Sequence, residues 1–421
     1  MNVLKHKYSF FIFLFLFLSF YNNRLYIQND KISEALVVGR LIESERNGIF
    51  SHSGLTGYVT DSIHFDDYNY NAKLQFEILN KSKKSDSYLA FKSYDSHNGG
   101  QAIIYSILNK ISPFNLETNI RLFKLLNIAL LSLILSILAM WTNRNFGIIP
   151  CITFLSLLSI TSWIINFSSS LWWCLWVLYI PFIVGLLYLE KQTIITYKQE
   201  KKLLFFLYLS IVFKCFITGF EYISTTFVVG FLPILYYFIK NKIDLLKLVS
   251  MGLKYLLIFT CSILTSLLIL VYQIQQQKGS FNAGIQHVLD TFLKRTSNVA
   301  IEGKTANLSS NSYIQIILKY LNGNMFSWSN IKIPFIVMVA IVFISCCILL
   351  ITNTNKNKAI VLTTIASILA PLSWYIVFIQ HSAMHLHLNF IVWYVPFLPL
   401  GYICIGLVFK FFGERINKSK L

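Results

Sequence analysis

Charge is scarce in this chain: Asp, Glu, Lys and Arg together make up 13% of its 421 residues, against 55% hydrophobic ones. A soluble protein of this length needs far more charge to cover its surface. Cysteine is absent from the long polar segments; all seven, from Cys151 to Cys404, fall within or at the ends of apolar blocks. That excludes a disulfide framework, and their spacing offers no zinc ligand set. There is no Gly-rich phosphate loop, no nucleotide-binding fingerprint and no Ser/His/Asp grouping. The connectors expected on the cytoplasmic side are too short to hold an ATPase. Energy for any reaction must therefore come from an activated lipid substrate or an ion gradient.

What the chain does contain is a succession of apolar blocks, each approaching the roughly 20 residues a helix needs to cross a bilayer. Mean hydropathy is +0.60. The expected fold is an all-α polytopic membrane protein with about ten transmembrane helices, near residues 8–25, 120–141, 146–164, 171–189, 203–220, 222–239, 249–273, 333–352, 359–379 and 389–411. The first run, Tyr8 to Phe20, follows Lys5 and Lys7 but lacks a small-x-small cleavage site, so it is expected to stay as a first span.

The net charge of +18 reports topology. Lys and Arg sit in alternate short connectors (Arg144; Lys191 to Lys202; Lys240 to Lys247; Lys356 and Lys358) and in the tail after residue 411. The intervening short connectors 165–170 and 380–388 have none. This is a positive-inside pattern, with both termini cytoplasmic, and no nucleic-acid surface is expected. Two long segments then fall outside. Residues 26–119 carry 11 of the 18 acidic residues, and residues 274–332 are polar and mildly basic. The chain divides accordingly into 1–25 (first span), 26–119 (acidic outer loop), 120–273 (spans two to seven), 274–332 (second outer loop) and 333–421 (spans eight to ten and a basic tail). Loops of this length without disordered composition are usually functional.

Within the first loop, Ile32 to Asn47 has apolar residues at helical spacing and is expected to lie as an amphipathic helix on the membrane surface. Residues 60–88 read as an irregular excursion, and Gln101 to Ile111 as a second amphipathic stretch. Three groups can carry chemistry. Asp30 and Glu34 stand just outside the first span, where a carboxylate could take the proton of a hydroxyl acceptor or be a solvated helix charge. Glu221 stands between spans five and six, with Lys214 two turns earlier on the same face. They form either a structural pair or a site where Lys214 offers charge to a phosphate. His381, His385 and His387 form the third group. His381 and His385 share a face at i, i+4, but no carboxylate is near in sequence, so hydrogen bonding to a phosphate or a loop is favoured over metal binding.

One span, then a long outer loop opening with acidic residues, then a series of spans: this layout resembles that of the GT-C membrane glycosyltransferases, which include the protein O-mannosyltransferases and the lipid A aminoarabinose transferases. The residues that carry the likeness are Ile32-Ser33-Glu34-Ala35, Gly39-Arg40, Asn47-Gly48 and Ser96-His97-Asn98-Gly99-Gly100-Gln101. Phe220-Glu221-Tyr222 and His385-x-His387-x-Asn389 add to it. The family's Asp-Glu pair is here Ser33-Glu34. The resemblance implies a bacterial cytoplasmic-membrane enzyme; no cofactor is expected, and a divalent metal stays open without support from the sequence. It would move a sugar from a polyprenyl-phosphate donor to a glycan, lipid or protein acceptor on the outer face, with inversion. Glu34 or Asp30 would serve as base, and Lys214, Glu221, His385, His387 and Arg295 would bind substrate. A polysaccharide polymerase and a polysaccharide-lipid transporter or flippase are the alternatives; the first usually has Arg-rich mid-chain loops, the second two similar halves.

Overall fold

The computed structural model describes residues 2–23, 30–61, 63–80, 90–192, 196–296, 312–328, 331–352, 354–385 and 388–419. The described residues are mostly helical, with two small hairpins. Among them five helices can cross a membrane by length and composition, or six if a bent pair counts as one span. They are α5 (Leu116–Phe146), α10 (Ile223–Lys240), α11 (Leu245–Lys278), the Asn355–Val377 unit and Phe397–Asn417. The bent pair is α6 (Ile148–Ser159) with α7 (Ser162–Ser168), broken by 71°. Shorter apolar helices run at Tyr8–Asn22, Leu175–Glu190 and Phe335–Ile351. Tyr197–Thr218, here α9, is long enough but carries Lys201, Lys202 and Lys214. The outward faces remain apolar: Leu257 is 64% exposed, Ile344 60% and Phe409 58%. Water would penalise such a continuous apolar surface, whereas lipid accommodates it. The chain is a helical multi-pass membrane protein.

The sorting of charge survives in three dimensions. Side chains from connectors expected on the inner side meet one another at one end of the bundle. Arg144 forks onto Glu190 at 2.6 and 3.0 Å, Asn145 joins Glu190 and Lys240, and Lys410 donates to the carbonyl of Phe146. The expected outer segments likewise meet at the other end. Gln277 at the end of α11 bonds the backbone of His52 and the side chain of Ser93, and Gln273 bonds the backbone of Ser53 and Asn98.

That outer layer is more ordered than the sequence suggests. Asp30 caps α2 (Lys31–Asn47) by accepting from the Ser33 N–H, and Gly48 at φ +94° ends it. The helix does not rest on a surface. Residues 34–43 are buried on every side, enclosed by α3 (Tyr68–Leu79), β1 (Gly57–Thr60) and α4 (Gly100–Ile111). The periodicity of small and branched residues fits a helix packed all round as well as a one-sided one. Residues 60–88 are likewise no irregular excursion where described: Asp67 caps α3 through the N–H groups of Asn69 and Tyr70. Strand β1 pairs antiparallel with β2 (Ala90–Ser93), Gly57 opposite Ser93. The second outer segment holds α12 (Phe281–Thr296), α13 (Ser312–Leu321) and the hairpin β3 (Asn324–Trp328) with β4 (Ile331–Pro334).

The expected span 171–189 loses its outer half. α7 ends at Ser168, and residues 169–174 run non-helically into a short 3-10 turn (Leu175–Tyr179) before α8 (Ile180–Glu190). The run Ser168-Ser169-Ser170 competes with helix hydrogen bonding. Buried side chains take up its backbone instead: Asn127 donates to the Ser170 carbonyl, and the Leu171 N–H donates to Glu34. Irregular backbone of this kind is tolerated in a membrane protein only where protein satisfies it. The Asn355–Val377 unit is also jointed, as α15 (Asn355–Ala366) and α16 (Leu369–Val377), followed by the short α17 (Ile379–Met384).

Candidate functional site

The site begins at the turn joining α9 to α10. Gly219 and Tyr222 both adopt positive φ, +59° and +54°. At Gly219 a Cβ would lie 2.5 Å from the His97 ring, so both backbone and space require glycine. Lys214 is fully buried and donates its ammonium to the carbonyls of Gly219 and Glu221. The expected Lys214–Glu221 side-chain pair is thus replaced by a staple on the turn's backbone. An ammonium at the end of α9 is saturated by the carbonyls that the tight turn turns inward, and it lines neither of the cavities described below.

Freed from Lys214, the Glu221 carboxylate meets two other groups. Oε1 lies 3.2 Å from Arg295 Nη1 at the C-terminal end of α12, and Oε2 lies 2.9 Å from His381 Nε2 on α17. All three side chains are about nine-tenths buried. Burial would push the Glu221 carboxyl up, but His381 and Arg295 outweigh it and hold the group well below the usual carboxylate range. Glu221 and the hydroxyl of Tyr94 hold Arg295 fully protonated against its own burial. A second ring, His385, sits 4.5 Å from His381. The expected site residue His387 lies outside the described residues.

Arg295, His381 and His385 open onto a polar cavity of about 500 Å³ between α2, the β1–β2 hairpin and α12. Among the described residues its fixed cations are Arg295, Lys294 and Lys92, and its one lining carboxylate is Asp95, already within 3.4 Å of Lys278 and 3.5 Å of His287. Lys92 is shared with the exposed Asp66 at 2.6 Å. Alongside runs an apolar groove of about 250 Å³, walled by Ile263, Leu267 and Leu270 of α11, Ile223, Phe292 and Phe378. The two spaces share Asp95, Ser96, His287, Thr291 and Arg295. A larger crevice of about 860 Å³ between the N-terminal helix and α5 is lined almost entirely by apolar side chains. It offers no chemistry, because its Arg144 is taken by Glu190.

The expected bases lie elsewhere. Glu34 is 1% exposed; Oε2 accepts from Lys124 of α5 at 2.7 Å and Oε1 from the Leu171 N–H at 3.3 Å. Burial pushes its carboxyl up and Lys124 draws it partly back. Asp30 spends one oxygen on its helix cap while the other is buried. Neither residue lines the charged cavity.

The stretch 96–101 is a docking device. A Cβ on Gly99 would approach the Gly54 carbonyl to 2.9 Å, and one on Gly100 the Phe216 carbonyl to 2.4 Å. Asn98 bonds Ser266 and Gln273 of α11. Burial holds His97 near pKa 3, hence neutral, with Nδ1 accepting from the Gly99 N–H. Arg40 is equally structural: its guanidinium gathers the carbonyls of Gly48, Ile49 and Ser51.

Sequence reasoning named Glu221, Arg295 and His385 but paired Glu221 with the wrong cation. It did not single out Tyr94, Asp95, Lys92, His287 or Lys294. The one signal available was the concentration of His and basic residues in otherwise mild outer segments. Among the described residues, no three His, Cys, Asp or Glu side chains converge as an ion site. The fold and site together define a multi-pass helical membrane protein with a charged cavity at the end of the bundle where the long polar segments meet, open beside an apolar groove. Comparison with protein-family profiles, with curated sequences and with solved structures returned no match.

Proposed function

We propose that the chain is a membrane glycosyltransferase of GT-C type, using a sugar carried on a polyprenyl phosphate. The observation behind this reading is the shared wall of the two spaces. A cationic cavity for an anionic, hydroxyl-rich head group adjoins a groove walled by apolar side chains of a membrane-crossing helix, with Arg295 at the seam. An amphiphile with a phosphate between sugar and hydrocarbon fits that order of surfaces. Arg295 would stabilise the charge that develops on the departing phosphate. The reading includes ten crossings with both termini cytoplasmic: the N-terminal helix, α5, the bent α6–α7 pair, α8, α9, α10, α11, Phe335–Ile351, α15–α16 and the C-terminal helix. The outer layer would then face away from the cytoplasm, where the chain needs no nucleotide site of its own.

The test uses the purified chain in lipid nanodiscs with a radiolabelled polyprenyl-phosphate hexose and the glycan, lipid and protein fractions of a bacterial envelope. Label moving into one fraction, and lost with Arg295→Ala, supports the proposal. A chain that binds no polyprenyl phosphate and moves no label would end it.

A further inference from the structure

The geometry points to His381, oriented by Glu221, as the group that takes the acceptor's proton. This inference rests on the glycosyltransferase reading and moves the base from the first loop to α17. Glu221 is the centre of the arrangement. It lies behind the cavity wall, and its two oxygens reach two residues that line the cavity, Arg295 at 3.2 Å and His381 at 2.9 Å. One carboxylate therefore fixes both the cation placed for the leaving phosphate and the imidazole beside it. An anionic carboxylate can only accept, so His381 Nε2 carries the hydrogen, and in the neutral ring Nδ1 is the nitrogen with the lone pair. Trp374 meets the imidazole edge-on at 5.7 Å and limits its rotation.

The step balances without a co-reactant. The acceptor hydroxyl gives its proton to His381 Nδ1 while its oxygen bonds to the anomeric carbon. The bond from that carbon to the phosphate oxygen breaks, and the electron pair leaves with the phosphate beside Arg295. The imidazolium is stabilised by Glu221 and returns its proton to water. In this arrangement Glu34 has no part in the proton transfer, since Lys124 and Leu171 occupy both its oxygens. The titratable groups around His381 are Glu221 from the α9–α10 turn, Arg295 and Lys294 from α12, His385 on its own segment and Tyr94 after β2. Among the described residues, the phenols Tyr320 of α13 and Tyr375 of α16, stacked on each other at 5.1 Å, lie on two further helices packed against α17.

The experiment follows release of polyprenyl phosphate from a polyprenyl-phosphate hexose by the full chain in nanodiscs supplied with the envelope fraction that takes up label, alongside binding of polyprenyl phosphate itself. Variants are His381→Gln, His381→Asn, Glu221→Gln and Glu34→Gln, with thermal unfolding as the folding control. The expected result is that His381→Gln and His381→Asn bind within about threefold of wild type yet lose about a hundredfold or more in turnover. Wild-type turnover should rise with pH through one ionisation, and Glu221→Gln should move that limb toward acid, because the imidazolium loses its counter-charge. Three outcomes overturn the assignment: near wild-type turnover in His381→Gln, binding and turnover falling together in both His381 variants, or a pH limb indifferent to Glu221→Gln. A wild-type chain that binds no polyprenyl phosphate overturns the donor class itself; a binding, active wild type with an indifferent His381→Gln overturns the dyad alone.

Discussion

Two buried carboxylates in the outer layer, Glu34 and Glu221, carry the same charge to opposite ends. Glu34 meets one lysine and one backbone N–H, and its partners lie on α5 and on the non-helical stretch after α7. Nothing is left over, and the carboxylate serves as a rivet between the first loop and the bundle. Glu221 meets two side chains that each show another surface to a cavity. Charge balance differs accordingly: one cation leaves the Glu34 carboxyl raised, whereas Arg295 with His381 holds that of Glu221 well down. Burial does not by itself mark a reactive group. What separates the two is whether the partners are consumed by the fold or exposed to a space that a substrate can enter.

The contrast can be broken experimentally. Glu34→Gln should give the largest change, a loss of about 3 kcal/mol in stability, because it strands Lys124 near the protein interior. The measurement is thermal unfolding in detergent, and Glu34→Gln with Lys124→Met should recover most of the loss. Polyprenyl-phosphate binding should stay unchanged in either variant; a parallel fall in binding would erase the distinction from Glu221. Arg295→Ala should weaken polyprenyl-phosphate binding by about 2 kcal/mol, roughly 30-fold. Arg295→Lys should restore only part, since a point charge cannot serve carboxylate, phenol and phosphate as the planar fork does. Titrating fluorescent polyprenyl phosphate into nanodiscs would measure both.

Gly219→Ala should cost about 1–2 kcal/mol, from a positive φ and the crowded His97 ring. Seen as a lower melting temperature, it should weaken binding as well, because the same turn presents Glu221. The smallest effect concerns Asp61, which does not line the cavity and whose carboxyl is pulled down to about 2, chiefly by the Tyr70 hydroxyl. A depressed carboxyl stabilises the fold fully above its unfolded range, near pH 4, and the contribution fades as pH falls through about 2. Melting curves from pH 6 downward should show that slope, and Asp61→Asn should flatten it.

Much of the fold was legible because lipid acts on each segment separately. The apolar blocks and the alternation of basic connectors appear in the helices and in the clustering of Arg144, Glu190, Lys240 and Lys410 at one end. The breaks were legible only in part: 165–170 reads as a connector, but the non-helical path continues to Cys174, held by Asn127 on the Ser170 carbonyl and Glu34 on the Leu171 N–H. α2 was found as a helix but misplaced, because a helix packed on all sides and one lying on a membrane have similar periodicity.

The candidate site shows the same division more sharply. The sequence by itself determined that the chain lives among lipid and that most of its carboxylates fall in two long polar segments. These follow from local composition, since solvent preference is decided residue by residue. Tertiary structure alone decided that Lys214 would bind carbonyls, that Glu34 would be consumed by Lys124, and that Glu221 would join His381, 160 residues away, and Arg295. A buried charge takes whichever partner the packing of separate helices brings within about 3 Å, and that choice is made between elements distant in sequence.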